Sequence, residues 1–177
     1  MIALSKTPVL ETERLVLRAP LGTDYPGFAE FAASDRTAHM GGPRPRDQAW
    51  RVFGHIIGHW TLRGFGMFTI TDRVTGQPLG MAGPWFPEGW PEQEVGWNLW
   101  SAASEGQGIA GEAAQAALDH VWNDLGWTTA VSYVDTANTR SAALAARLGA
   151  VIDPAAPRLP IDVPHDVWRH SNPRSFA

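Results

Sequence analysis

The sequence has no cysteine among its 177 residues and no long run of basic or apolar residues. The lack of cysteine excludes a disulfide framework, a cysteine-based zinc site and a thiol nucleophile. A net charge of −4 without a basic run argues against a nucleic-acid partner. No apolar stretch approaches the roughly 18 residues of a membrane span, and Met1–Thr7 is too short and too polar for a signal peptide. We therefore expect a cytoplasmic protein that binds neither nucleic acid nor membrane.

Apolar residues make up 44% of the chain and charged residues 18%, which is typical of a globular protein rather than a disordered one. A chain of this length can bury roughly 70% of its unfolded surface in one core. We therefore predict a single domain over residues 1–177. The nine tryptophans are a high number. Four of them flank loops and either line a pocket or belong to the core or to an interface: Trp85, Trp90, Trp97 and Trp100.

The hydrophobic pattern predicts an α/β protein with a mixed, mostly antiparallel sheet and helices on both faces. Short turns connect consecutive strands into an antiparallel meander. Gly83 and Pro84 are expected to interrupt one of these strands, and Gly96 indicates a bulge or a close backbone approach in the next. The strand that ends at Trp100 and the strand that begins at Thr128 should be parallel neighbours joined by a right-handed crossover. The predicted strands span residues 14–19, 67–71, 79–85, 92–100, 128–134, 151–152 and 165–170.

Four helices are predicted from apolar residues at helical spacing. Thr23 or Asp24 is expected to cap the first helix. Gly64 should end the second, whose apolar stripe includes Trp50. The predicted helices span about residues 23–33, 47–63, 109–125 and 138–148.

Three glycines, Gly106, Gly108 and Gly111, follow the meander and run into an alanine-rich helical pattern. Glycine lets the backbone bend so that successive N–H groups point in one direction. The start of the next helix adds unpaired N–H groups and the positive end of its dipole. Such a loop favours a bound phosphate or pyrophosphate. A nucleotide-binding P-loop is a second interpretation, but no Lys-Ser or Lys-Thr pair follows Gly108.

Four segments resemble, in this order, the GNAT superfamily of N-acetyltransferases, and more closely its branch of ribosomal-protein alanine acetyltransferases. Each segment alone is a weak signal, but four in order at the family's spacing are specific. The resemblance implies a GNAT-like acyl-CoA N-acyltransferase fold and transfer of an acetyl group from acetyl-CoA to an amine. The segments are Thr-Glu-Arg-Leu-Val-Leu-Arg at 12–18, Glu-Val-Gly-Trp-Asn-Leu at 94–99, Gly-Gln-Gly-Ile-Ala-Gly-Glu-Ala at 106–113, and Asn-Thr-Arg-Ser at 138–141 with Leu-Gly-Ala at 148–150.

The resemblance also implies where acetyl-CoA, as co-substrate, would lie. Free backbone groups of Leu99, Trp100 and Ser101 would bind its pantetheine arm. Asn138 would face the same arm while also capping its own helix, and Ser141 would lie near the thiol. No metal or other cofactor is implied. The pyrophosphate would rest on the amides of Gly106, Gln107, Gly108, Ile109, Ala110 and Gly111.

Direct acetyl transfer needs a neutral amine, a hydrogen-bond donor that stabilises the charge on the thioester carbonyl oxygen, and a proton for the leaving thiolate. Glu94 is the first candidate for the general base, acting through water, and its alternative is a solvated carboxylate at the strand edge; Glu92 is a weaker candidate. The amide of Leu99 or a close neighbour would hold the carbonyl oxygen. Ser141 and Tyr133 are candidates for the proton donor, with a helix-surface serine and a core tyrosine as alternatives, and water can serve equally.

Three positions depart from the family's pattern. Ala145 stands seven residues after Asn138, where many members carry a tyrosine. Glu105 stands at the first position of the glycine loop, where members carry Arg, Gln or Trp. Because a carboxylate beside a pyrophosphate is unfavourable unless it points away, we expect Glu105 to face solvent; the alternative is a weakened affinity for the cofactor. Ala150 replaces an aromatic residue.

Other ionisable residues have structural interpretations. Glu112, in the first turn of its helix, is expected to stabilise the helix dipole and the loop amides rather than to act in catalysis. His55 and His59 lie four residues apart on one helix, but neither a cysteine nor a carboxylate stands at ligand spacing, so we predict no metal site. His120 is expected on a helix surface.

The sequence thus predicts an acetyl-CoA-dependent N-acetyltransferase. Its acceptor would be a primary amine, either a protein N-terminus or a small molecule, that attacks acetyl-CoA directly in a ternary complex. Segments 23–63 and 86–91 are expected to shape the acceptor pocket, and the chain would act alone or as a homodimer. The alternative is a catalytically inactive acyl-CoA-binding module that acts as a sensor or a scaffold. The departures from the family's pattern at Ala145 and Glu105 favour this alternative.

Overall fold

A computed structural model describes residues 4–173, so the two ends of the predicted domain 1–177 lie outside the described residues. In this described part of the chain, eight strands form one mixed sheet, and four α-helices accompany it. Short 3-10 helices cover Gly22–Asp24, Asp35–Met40 and Ala102–Ser104. The strands are β1 Leu10–Glu11, β2 Leu15–Arg18, β3 Phe68–Asp72, β4 Pro78–Trp85, β5 Glu94–Leu99, β6 Thr129–Asp135, β7 Val151–Ile152 and β8 His165–Ser171, and the α-helices are α1 Tyr25–Ala32, α2 Arg46–Arg63, α3 Ile109–Asn123 and α4 Thr139–Arg147.

The sheet has the strand order β1-β2-β3-β4-β5-β6-β8-β7. Strands β3 to β5 form the predicted antiparallel meander, and β2 pairs with β3, also antiparallel. Strands β5 and β6, joined through α3, are parallel neighbours as predicted. They pair only at Glu94↔Val131, so the two strands separate beyond this point and leave a gap in the sheet.

Helices cover both faces of the sheet, as predicted. Met81 and Ala82 are adjacent on β4 and therefore point to opposite faces. Met81 packs in a cluster with Phe28 of α1 and Phe53 of α2. Ala82 packs in a second cluster with Ile109 of α3. The gap between β5 and β6 is thus framed by helices that are fixed to opposite faces of one sheet.

Strand β4 is not interrupted, and the predicted bulge at Gly96 is wrong. Pairing of β4 with β5 continues without a shift from Gly80↔Leu99 to Trp85↔Glu94. The irregular register lies instead between β3 and β4, at Ile70/Thr71. A Cβ atom at Gly96 would meet only side-chain atoms, of Glu94 and Met67, so the close backbone approach is not there either. Close backbone approaches occur instead on β4, at Gly80, where a Cβ atom would overlap the carbonyl oxygen of Asn98, and at Gly83, where it would lie 2.9 Å from the carbonyl oxygen of Gly66.

The helix boundaries follow their local signals, with two corrections. Gly64, in a left-handed conformation with φ of 78°, ends α2 as predicted. Trp50 does not join the buried stripe, because 62% of its surface is exposed and it contacts Tyr25 edge-on. Asp24 does not cap α1 with its side chain. It is only 2% exposed and binds both terminal nitrogens of Arg18 at 2.8 Å, which ties β2 to the start of α1.

His120 is also not a surface residue. It is 5% exposed, contacts Phe68 edge-on, and places Nδ1 2.6 Å from Asp124. The short strand β1, which the sequence did not reveal, pairs Leu10 with Leu17 of β2. Within residues 4–173, none of the helices is long and apolar enough to cross a bilayer.

Candidate active site

The gap between β5 and β6 opens into a cleft with two lobes. The large lobe has a volume of about 1370 Å³ and lies between the 3-10 helix Asp35–Met40, the glycine loop and α4. The small lobe has a volume of about 570 Å³ and lies over β5, β6 and the segment 159–165. The two lobes share the residues Phe31, His39, Met40, Trp97, Asn98, Asn138 and Ser141.

The glycine loop presents unpaired N–H groups to the large lobe. Gly106 and Gly108 adopt left-handed backbone conformations, with φ of 71° and 77°. Hydrogen bonding within α3 begins at the Glu112 N–H, which donates to the Gly108 carbonyl. The N–H groups of residues 106–111 donate to no acceptor within residues 4–173. The loop therefore has the donors and the helix terminus of an anion-binding site.

Five of the six predicted loop residues line the large lobe. Gln107 does not, because its carbonyl oxygen accepts a hydrogen bond from Arg14 and its side chain turns back to the carbonyl of Ala103. The lining loop residues are Gly106, Gly108, Ile109, Ala110 and Gly111.

One hydrogen bond identifies which backbone groups of β5 face the gap. The Trp100 N–H donates to the Leu79 carbonyl at 2.8 Å. Because hydrogen-bonded and non-hydrogen-bonded pairs alternate along an antiparallel ladder, Leu99 and Trp97 direct their backbone N–H and C=O groups away from β4 and into the gap. The prediction for Leu99 therefore agrees with its position. By the same alternation, residue 84 makes no backbone hydrogen bond to β5, so the proline there, which has no N–H, does not disturb the pairing.

Trp100 and Ser101 do not reach the cleft. The Trp100 N–H is used by Leu79, and its indole packs against Phe28 in the core. The hydroxyl of Ser101 instead accepts a hydrogen bond from the Ala103 N–H and caps the following 3-10 turn. The predicted pantetheine contacts at these two residues are therefore not supported by their positions.

Glu105 does not simply face solvent. Its carboxylate lies 2.6 Å from Arg36 and 2.6 Å from Arg140, and its side chain is 33% exposed. The hydrogen bond from Arg36, together with the two positive charges, holds the pKa of Glu105 below its ordinary value. Arg36 also donates to the Leu99 carbonyl oxygen at 3.1 Å. Glu105 thus connects the 3-10 helix Asp35–Met40, the glycine loop and α4 around the large lobe.

Glu94 lies in the small lobe, at the point where β5 and β6 separate. Its carboxylate accepts a hydrogen bond from the Trp90 indole N–H at 2.7 Å. Burial raises the pKa of Glu94 to about 7, although hydrogen bonds from Trp90 and from the Tyr133 backbone act in the opposite direction. A carboxyl group with this pKa can both accept and release a proton near neutral pH.

The junction of the two lobes contains four polar side chains, one of which, His39, is bound to Asp135 at 2.7 Å. Asn138 accepts a hydrogen bond from the Ser141 N–H at 3.1 Å and so caps α4, as predicted. The Ser141 side chain lines both lobes from the first turn of α4. The Oδ1 atom of Asn98 is buried and has no hydrogen-bond partner within residues 4–173. Sequence reasoning missed Asn98, although its spacing of four from Glu94 on one strand puts both side chains on the same face.

Neither the position of Ala145, where the family's tyrosine is missing, nor Tyr133 is well placed to donate the proton. Ala145 has no hydroxyl group, and because it is fully buried in α4 the position has no access to the cleft. The Tyr133 side chain lines the small lobe, but its hydroxyl donates to the Pro157 carbonyl at 3.4 Å. Burial, followed by the nearby charges of Glu92 and Glu94, raises the pKa of Tyr133 to about 12.

The remaining acidic residues are bound elsewhere. Glu92 is held by both terminal nitrogens of Arg169, each at 2.9 Å. Glu112 lies in the first turn of α3, as predicted, but it accepts hydrogen bonds from Thr12 and Arg14 rather than from the loop amides. Both ring nitrogens of His59 are satisfied by backbone groups. Among residues 4–173, no group of three or more His, Asp or Glu side chains could hold a metal ion.

The comparisons with known proteins agree with this geometry. Residues 14–151 match the family model described as the acetyltransferase (GNAT) domain. The crystal structure of an acetyltransferase from Agrobacterium tumefaciens is 38% identical, with a TM-score of 0.88, and the match covers 97% of this chain and 99% of that one. A GNAT-family acetyltransferase from Bordetella pertussis is 28% identical, with a TM-score of 0.78 and coverage of 93% and 100%. The ribosomal-protein α-N-acetyltransferase RimL in complex with coenzyme A shares the fold at 19% identity, with a TM-score of 0.71 and coverage of 93% and 98%.

Proposed function

Because this chain belongs to the GNAT acetyltransferase family, we propose that it is an acetyl-CoA-dependent N-acetyltransferase that acts on a primary amine in a ternary complex. The observation that carries the proposal is the meeting of the two lobes at Asn98 and Ser141. One lobe offers unpaired backbone N–H groups to an anion, and the other contains Glu94, whose pKa is raised to about 7. Two substrates bound in these lobes would meet at the shared residues.

In this proposal acetyl-CoA takes the large lobe. The pyrophosphate binds to the N–H groups of residues 106–111 and the start of α3. The pantetheine arm pairs with the backbone groups that Trp97 and Leu99 direct into the gap, where β6 no longer pairs with β5. Arg36 must then release the carbonyl oxygen of Leu99, which it holds at 3.1 Å in this structure. Arg140 and Arg147 also line the lobe and supply positive charge for the phosphates.

The acceptor amine takes the small lobe. An ammonium ion has no lone pair, so it must first lose a proton, and Glu94 is positioned to accept this proton directly or through water. The amine nitrogen then bonds to the thioester carbonyl carbon, and the carbon–sulfur bond breaks. The nitrogen then loses a second proton to become an amide. The hydroxyl of Ser141, at the junction, donates a hydrogen bond to the leaving sulfur, or passes its proton to the sulfur and regains one from the nitrogen directly or through water. N–H groups on the free edge of β5 stabilise the charge on the carbonyl oxygen.

The decisive experiment mixes the protein with acetyl-CoA and a panel of primary amines and measures release of free thiol. Calorimetry with coenzyme A measures occupancy of the large lobe independently. We expect both binding and amine-dependent thiol release. Binding of coenzyme A without thiol release from any amine would instead support the inactive acyl-CoA-binding module.

The homodimer and the cytoplasmic location remain predictions. Light scattering at assay concentration tests the first, because a dimer doubles the mass measured for the 19.3 kDa chain. Cell fractionation tests the second. Neither result bears on the assignment of the two lobes.

A further inference from the structure

The rim of the small lobe is apolar although it faces solvent. Four large apolar side chains line this lobe while keeping much of their surface exposed: Met40 at 46%, Val52 at 36%, Ile161 at 50% and Val163 at 41%. They come from the 3-10 helix Asp35–Met40, from α2 and from the segment before β8. Exposed apolar residues that gather around one opening, rather than scattering singly, indicate a surface that is covered by a ligand.

The floor of the small lobe is aromatic, and its rings are held in place. Trp85 stacks on His59 with ring centres 4.5 Å apart and planes at 20°. Trp90 is fixed by its hydrogen bond to Glu94. Phe31 adds a further ring to the same floor. Rings that are already fixed lose little conformational freedom when a flat ligand packs against them.

The charges of the small lobe fit a ligand with one positive charge. Its two carboxylates are Glu94 and Asp135, and Asp135 is already bound to His39 at 2.7 Å. Arg44 adds a positive charge to the lining, and His165 is held by backbone groups on both of its ring nitrogens. Glu94 is therefore the one acidic side chain in this lining that has no basic partner among the described residues. A polyamine or an aminoglycoside would leave further ammonium groups facing apolar walls, which is costly.

We propose that the acceptor is a small primary amine with a single ammonium group and an aromatic body. Its nitrogen lies next to Glu94, and its ring lies between the tryptophans of the floor and the apolar rim. A lobe of about 570 Å³ is within the size range of small-ligand pockets. This inference rests on the proposed function, because it identifies the second substrate of the same site.

The test compares phenylethylamine with ethylamine, spermidine and a short peptide that begins with alanine, at saturating acetyl-CoA. We expect kcat/KM for phenylethylamine to exceed that for ethylamine by about 10- to 100-fold, the gain of burying one phenyl group. A higher kcat/KM for spermidine or for the peptide would overturn the inference while leaving acetyl transfer intact.

The variant Ile161→Ser tests the rim without disturbing a buried residue. It should raise KM for phenylethylamine several-fold and leave KM for ethylamine and acetyl-CoA unchanged. The control Val74→Ser, at a position 93% exposed and outside the lobe, should change none of them. If Ile161→Ser converts a dimer into a monomer without altering KM, the rim is an interface between two copies of the chain and the inference is wrong.

A binding measurement separates failure of this inference from failure of the proposed function. Phenylethylamine is titrated into the complex with coenzyme A, where no chemistry occurs. Binding that Ile161→Ser weakens supports the inference even if no amine is acetylated, in which case only the proposed catalysis fails. No binding of phenylethylamine, with coenzyme A bound, overturns the inference.

Discussion

The clearest prediction concerns the protonation of Glu94. Burial raises the pKa of its carboxyl group to about 7. Such a group is ionised to about one tenth at pH 6, one half at pH 7 and nine tenths at pH 8, whereas an ordinary glutamate is almost fully ionised over this range. If Glu94 is the general base, its titration alone should raise kcat/KM about tenfold between pH 6 and pH 8.

The acceptor amine also loses a proton over this range, so the measurement needs an internal reference. Glu94→Gln keeps the size of the side chain and removes its titration. We expect this variant to lower kcat by about 10²- to 10⁴-fold, the usual contribution of a general base, and to leave the affinity for coenzyme A unchanged. The ratio of kcat/KM between the native enzyme and the variant cancels the titration of the amine, because both share it.

Trp90 supplies a directional check. Its indole N–H donates to the Glu94 carboxylate at 2.7 Å, and this hydrogen bond lowers the pKa of Glu94 against the effect of burial. Trp90→Phe removes the bond and should move the rising limb of the pH profile to higher pH. Trp122→Phe is the matched control, because Trp122 packs in a cluster on α3 outside both lobes and should leave the profile unchanged.

The same group should affect stability. Because the folded-state pKa of Glu94 lies above its ordinary value, the protonated form favours the folded state, and this contribution is lost as the pH rises from about 4.5 through about 7. The melting temperature of Glu94→Gln should therefore rise relative to that of the native protein as the pH increases from about 4.5 to about 7. A native-to-variant activity ratio that is independent of pH, or a Trp90→Phe profile that moves to lower pH, would refute the assignment.

Three further predictions concern the loop, its charges and the fold. Gly108→Val should weaken coenzyme A binding at least about tenfold in calorimetry, because a branched residue strains the left-handed backbone that orients the loop amides. The control is Gly126→Val, which introduces the same strain, at φ of 70°, away from the cleft and should bind coenzyme A normally. Arg140→Gln should lower the affinity for coenzyme A about fivefold, which corresponds to about 1 kcal/mol. Adding Glu105→Gln to this variant should restore much of the affinity. The affinity for pantetheine, which carries no phosphate, should not respond to either change. Asp24→Asn should destabilise the protein by about 1.5–3 kcal/mol in urea unfolding, because it removes the charged hydrogen bonds between the buried carboxylate of Asp24 and the half-buried Arg18.

Much of the fold could be predicted because its signals are local. The left-handed turn at Gly64 and the glycine loop at 106–111 each depend on a few neighbouring residues, and both lie where the sequence indicated. The parallel pairing of β5 with β6 followed from the order of strand, helix and strand. The right-handed sense of this crossover remains a prediction.

The direction of the β5 backbone could not be predicted from β5 alone. The hydrogen bond between Trp100 and Leu79 decides which residues face the gap, and Leu79 lies on another strand. A shift of one residue in this pairing would exchange the free and the bonded backbone groups. The sequence pattern therefore identified the strand and its neighbourhood, whereas the positions of Trp100 and Ser101 give no support to the pantetheine contacts predicted there.

Glu105 shows why a departure from a family pattern cannot be judged one position at a time. A carboxylate beside the phosphates opposes binding when it stands alone. Its two arginine partners lie 69 and 35 residues away in the chain, so no local motif contains them. Together the three side chains carry a net charge of about +1, and they link the segments that surround the large lobe. The loop is thus compatible with a polyanionic cofactor because distant residues compensate for Glu105, and the affinity must depend on the three residues as a unit.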